Sequence, residues 1–126
     1  MRVVTILIII AVAVGGYFVA QKMGWIGEAQ QAATESFAAH EQAAAGLIAS
    51  GKYEEAIGHL TDAIRENPNH PNAPAAMMRI GKCYRELGNA EEAIKYYEKT
   101  LEEYPNSNVE GQVRKALEQT RAMGAY

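Results

Sequence analysis

Two hydropathy patterns divide this chain. Val3 to Ala20 reads VVTILIIIAVAVGGYFVA, an apolar run in which Thr5 is the one polar residue. Arg2 precedes it and Gln21-Lys22 closes it. Beyond it, apolar residues return every third or fourth position, the spacing of helices with one buried stripe. No stretch alternates as a strand would. The pattern predicts a membrane helix over about 2–22, then helices over about 28–50, 53–67, 74–87, 90–104 and 108–122. The expected fold class is all-α.

The apolar run has the length of an anchor. Eighteen helical residues rise about 27 Å, close to a hydrocarbon core of roughly 30 Å. Cleaved signal peptides have shorter apolar cores, of about 7–15 residues. A small-residue cleavage site does stand near Ala13-Val14-Gly15, but the length favours retention. The α-amino group and Arg2 on one flank outweigh Lys22 on the other, which predicts the N-terminus inside and the remaining chain outside. Trp25 suits either the headgroup level or a packing place at the base of the domain. Ala11 and Gly15, and Gly16 and Ala20, place small residues one turn apart, where a second membrane helix would fit.

The helical part repeats itself. Gly51-Lys-Tyr-Glu-Glu-Ala56-Ile57 returns as Gly88-Asn-Ala-Glu-Glu-Ala93-Ile94, 37 residues later. The match extends from Ala44, Leu47 and Gly51 through Ala56 and Leu60 to Pro68. Its second copy is Gly81, Tyr84, Gly88, Ala93, Tyr97 and Pro105. Each position has a physical reason. Gly51 and Gly88 permit the left-handed backbone that ends a first helix. Asn89 with Glu92 makes a capping pair for the second helix, and Lys52 is a poorer cap at the matching place. Ala56 and Ala93 are small where two helices cross. Pro68 and Pro105 stop the second helix. Ser107 with Glu110 is expected to open the last helix as another capping box.

Charge and chemistry narrow the function further. The formal net charge is −3, and ten basic residues face fifteen acidic ones from Met23 onward. That balance argues against nucleic acid as a partner. Cys83 is the one cysteine, so no internal disulfide forms, and it is far from the apolar run. The histidines, His40, His59 and His70, are too scattered in sequence to suggest a metal or catalytic cluster. Glu54-Glu55 and Glu91-Glu92 sit at helix starts, where the dipole favours them. Neither a nucleophile elbow nor a phosphate loop is present. The expectation is a chain that is not an enzyme and needs no cofactor.

The 37-residue unit resembles the tetratricopeptide repeat, a helix–turn–helix motif of about 34 residues. The likeness spans about residues 37–106. His40 and Met77 stand where the family often has tryptophan, and the three extra residues fit the turn at His70-Pro71-Asn72. Tyr104-Pro105-Asn106-Ser107 is similar to repeats of bacterial envelope proteins, lipoproteins whose lipidated cysteine this chain lacks. The resemblance implies a short α-solenoid: linker at 23–27, domain at 28–126, repeats at about 37–70 and 74–106, and a capping helix at about 107–122. It also implies a partner groove lined by Ala38, Glu41, Ala45 and Ile48 from the first copy, and Ala75, Met78, Lys82 and Arg85 from the second. The chaperone-tail clamp of some members needs lysine and asparagine where Glu41 and Ala45 stand, which speaks against that activity.

The resulting expectation is a membrane-anchored interaction module, an adaptor or accessory subunit of a larger membrane complex. Its partners would be proteins held by the groove and by the membrane helix, with the lipid bilayer beneath. The place expected is a bacterial inner membrane, with the domain on the periplasmic side. The apolar surface of the Ala-rich first helix suggests docking onto another subunit or a second copy of the chain. The alternative is a self-assembling structural or filament subunit.

Overall fold

The computed structural model describes residues 31–124. Among them lie five helices and no strand. We number them α1 (helical throughout 31–49), α2 (Tyr53–Glu66), α3 (Ala73–Glu86), α4 (Ala90–Glu103) and α5 (Glu110–Gly124). The expected all-α hairpin architecture is therefore found, with helix ends within about two residues of those the pattern predicts; the expected start of the first helix, at about 28, lies outside the described residues. The expected membrane helix 1–22, with Ala11, Gly15, Gly16 and Ala20, lies outside the described residues, as does linker 23–27. No helix among the described residues is long and apolar enough to cross a membrane.

Both repeats turn by the same device. Gly51 has φ +74° and Gly88 φ +80°. Lys52 N–H donates to the Leu47 carbonyl at 2.8 Å and Gly51 N–H to Ile48 at 3.0 Å. Asn89 N–H donates to Tyr84 at 2.9 Å and Gly88 N–H to Arg85 at 3.0 Å. This paired closure satisfies carbonyls that the last turn of a helix would otherwise leave free. With turns this short, each helix returns alongside the one before it.

The next helix then starts differently in the two copies. Asn89 Oδ1 accepts from Glu92 N–H at 3.2 Å, whereas Lys52 makes no side-chain cap. Ser107 does not form the expected capping box. Its carbonyl takes the Glu110 N–H, and its hydroxyl is buried without a hydrogen-bond partner. The preceding residue, Asn106, has φ +62°; α5 starts only at Glu110, after a turn at 108–109.

Two apolar clusters hold the unit that begins at Thr34. The first joins Phe37 and Ala44 of α1 to Leu60 and Ala63 of α2 and to Ile80 and Cys83 of α3. The second joins Met78 of α3 and Tyr97 of α4 to Val113 and Leu117 of α5. The inter-repeat turn is fastened to both copies. His70 stacks on Phe37 with centroids 4.0 Å apart, and the Tyr104 hydroxyl donates to the Pro68 carbonyl at 2.8 Å.

The 37-residue register continues past the two matched copies. α2 and α4 start and end 37 residues apart, and α3 and α5 start 37 apart. Ala76, Ile80 and Cys83 are buried in α3, as are Val113, Leu117 and Thr120 in α5. Where α3 turns Met77, Gly81 and Tyr84 inward or half inward, α5 has the exposed residues Arg114, Glu118 and Arg121. α5 thus repeats the inner stripe of α3 and solvates the flank that α3 gives to α4.

Candidate partner-binding groove

α1 and α3 run on the same side of the two hairpins and enclose a cleft of about 530 Å³. Its lining is Ala45 and Ile48 from α1, Tyr53 from the start of α2, and Arg79, Lys82, Cys83, Arg85 and Glu86 from α3. The floor is apolar or weakly polar. The rim is charged, and its α3 residues fall at helical spacing on one side of the helix.

Ala45, Ile48, Lys82 and Arg85 were expected in this groove, and the structure brings them together. Ala45 and Lys82 are exposed; Ile48 and Arg85 are half-buried. Glu41 is engaged elsewhere: it accepts from Asn72 Nδ2 at 3.1 Å and pairs with Arg79 at 3.4 Å, holding α1 to the start of α3. Ala38 is exposed on α1, outside the cleft lining. Ala75 packs beside the second core cluster, and Met78, 5% exposed, is within it. α5 covers this part of α3, so Met78 offers a partner little surface.

Tyr53, Arg79, Cys83 and Glu86 were not anticipated in the lining. Arg79 and Glu86 were legible in principle, being three and four residues from Lys82 on one helix face. Tyr53 was not, because it enters from α2, at a position that the second copy fills with Ala90.

The groove is basic where it is free. Among the described residues neither Lys82 nor Arg85 takes part in an ion pair, while Arg79 is held by Glu41. Burial, with the nearby Glu86 carboxylate, pushes the Cys83 thiol up, so it stays protonated and behaves as apolar floor. Burial also raises Tyr97, and the Arg85 charge partly opposes that rise.

Two of the three histidines, which sequence spacing keeps apart, meet in the fold: the Nδ1 atoms of His40 and His59 lie 3.3 Å apart across the α1–α2 hairpin. His40 Nε2 lies 3.5 Å from Glu66 Oε2, which also accepts from Ser36 Oγ at 2.8 Å. The Ser36 hydrogen bond, with the His40 and Arg65 charges, holds the Glu66 carboxyl below its usual range. Among the described residues no three metal-ligating side chains converge.

Helix pairs in a 37-residue register, a left-handed glycine at each inner turn and one groove formed by alternate helices define a helical-repeat solenoid. A tetratricopeptide-repeat profile matches residues 42–108, just over half of the sequence. The chain belongs to the tetratricopeptide-repeat family. It is also similar to the heat shock protein STI1 of Saccharomyces cerevisiae, 31% identical over 77 residues. That match takes in 58% of this chain and 13% of STI1, so the likeness is between one repeat region and a small part of a much longer protein.

Proposed function

We propose that this protein is a non-catalytic adaptor that seats a segment of a partner protein in the α1–α3 groove. The observation that carries the reading is the cleft itself: an apolar floor at Ala45, Ile48 and Cys83 beside two cations, Lys82 and Arg85, that form no ion pair among the described residues. A partner would place an apolar side chain on that floor and a carboxylate between the two cations, where charge-assisted hydrogen bonds form. Family membership supports protein binding in general; the acidic segment is our reading of the rim.

The Val3–Ala20 run supports a second element of the proposal, attachment to a membrane. The adaptor would then be an accessory subunit of a membrane complex in a bacterial inner membrane, its groove on the periplasmic side. The test is purification of the full-length chain in mild detergent from its native membrane, with mass spectrometry of the proteins retained. Lys82→Glu with Arg85→Glu should release a partner while circular dichroism stays helical. An unchanged set of partners would refute the groove. Deleting residues 1–22 should release the chain from membranes. A reporter fused after Tyr126 that signalled from the cytoplasm would reverse the topology.

A further inference from the structure

We propose that the His40–His59 pair is a clasp on the α1–α2 hairpin, one that survives a first added proton and is opened by a second. The geometry assigns the hydrogen atoms. Glu66 accepts from Ser36 and faces His40 Nε2, so Nε2 carries a proton toward the carboxylate. In the neutral ring that leaves Nδ1 of His40 as an acceptor. His59 Nδ1, 3.3 Å away, must then donate. The four side chains then form one relay: Ser36 and His40 face Glu66 as donors, and His59 donates to His40.

Adding protons changes this arrangement in two unlike ways. One proton added to either imidazole leaves a single lone pair between the two Nδ1 atoms. The N–H···N bond survives, becomes charge-assisted, and shares its positive charge with Glu66. A second proton removes that lone pair. Two N–H donors and two positive charges then meet at the present 3.3 Å, and the contact has to break.

Other charges stand near the pair: on α2, Glu55 and Asp62 lie one helical turn before and after His59. On α2, Arg65 acts on Glu66 but is itself paired with Asp62 at 2.6 Å. On α1, Glu41 is committed to Asn72 and to Arg79 of α3. In the inter-repeat turn, His70 is stacked on Phe37, and its Nδ1 accepts from Asn72 N–H at 3.0 Å. Glu66 retains its charge into mild acid, because its partners hold its carboxyl low. The carboxylate is therefore present when the first proton arrives. Since α1 forms one wall of the groove, release of the clasp would loosen that wall.

The test follows the imidazole carbon-bound protons of the full-length chain by NMR from about pH 8 to pH 4, together with amide hydrogen exchange in α1 and α2. Proton uptake by the His40–His59 pair should come in two separated steps, as the 3.3 Å contact requires. Exchange protection of α1 should hold through the first step and fall about tenfold or more through the second. His59→Gln keeps a donor and an acceptor but takes no proton, so its α1 protection should persist where the parent loses it. Glu66→Gln should fold normally and draw the two steps closer together. Independent single titrations of His40 and His59, or an acid loss of α1 protection equal in the parent and His59→Gln, would overturn the proposal.

Discussion

At the scale of single residues, the two repeats solve one packing problem with different pairs. Ala44 faces the second helix of its hairpin, where Leu60 is fully buried; the equivalent pair is Gly81 and Tyr97. A Cβ added at Gly81 would come within 2.6 Å of Tyr97 Cε1 and 2.9 Å of Cδ1. That ring is 0% exposed and has no free direction. Gly81→Ala should therefore destabilise the domain by about 1–3 kcal/mol, although alanine is the better helix former. Tyr97→Leu alone should also destabilise, by leaving a void. Combined, the substitutions recreate the Ala44–Leu60 pair, and urea denaturation of the four proteins should give a favourable coupling of about 1 kcal/mol or more. Additive losses would show that the pairs are not equivalent. The Tyr97 hydroxyl is buried without a partner. Tyr97→Phe removes that desolvated group and should raise stability by up to about 1 kcal/mol, read as a higher urea midpoint.

At the scale of elements, the best test compares the two helix starts. Lys52 and Asn89 precede α2 and α4 with nearly the same backbone, φ −90°, ψ 66° and φ −98°, ψ 78°. Only Asn89 bonds the backbone three residues on. Lys52→Asn should place an acceptor before Glu55 N–H and stabilise by about 1 kcal/mol; Asn89→Ala should cost about the same. Thermal unfolding followed by circular dichroism would show both shifts, and no gain at Lys52 would mean that its approach angle forbids the cap. The helices, turns and caps of the two copies were legible because glycine, proline and alanine constrain the backbone locally. Ser107 misled because a serine before a glutamate is a local signal, and the late start of α5 turned its side chain into a buried place. The His40–His59 contact was hidden because its partners come from different helices, 19 residues apart. The repeat itself held the clue. Shifted by 37 residues, the pair becomes Met77 and Tyr96, which line one cleft together.

At the scale of the molecule, half of the predicted groove was legible because α1 and α3 each present their own helical face. The rest depends on neighbours: α5 covers Met78, Asn72 and Arg79 occupy Glu41, and Tyr53 enters from α2. The same stacking collects acids that ionise only in alkali. Burial raises Cys83 above 9.0 and Tyr84, Tyr97 and Tyr104 above 10.0; the first three come from α3 and α4, and Tyr104 caps α4 against the inter-repeat turn. The sign of the consequence is set by proton counting. Below their ordinary values, folded and unfolded chains both hold these protons, and stability does not depend on them. Above, the unfolded chain releases protons that the folded chain keeps, so it binds fewer and is favoured as pH rises. Stability should be level toward neutrality, begin to fall near pH 9 through Cys83, and fall more steeply beyond pH 10 through the tyrosines. Tyr97 is fully buried and alone would supply a slope of up to about 1.4 kcal/mol per pH unit. Urea midpoints from pH 7 to 11 should therefore drop less steeply in Tyr97→Phe than in the parent. Parallel curves would mean that the Tyr97 phenol ionises as readily in the folded chain as in the unfolded one.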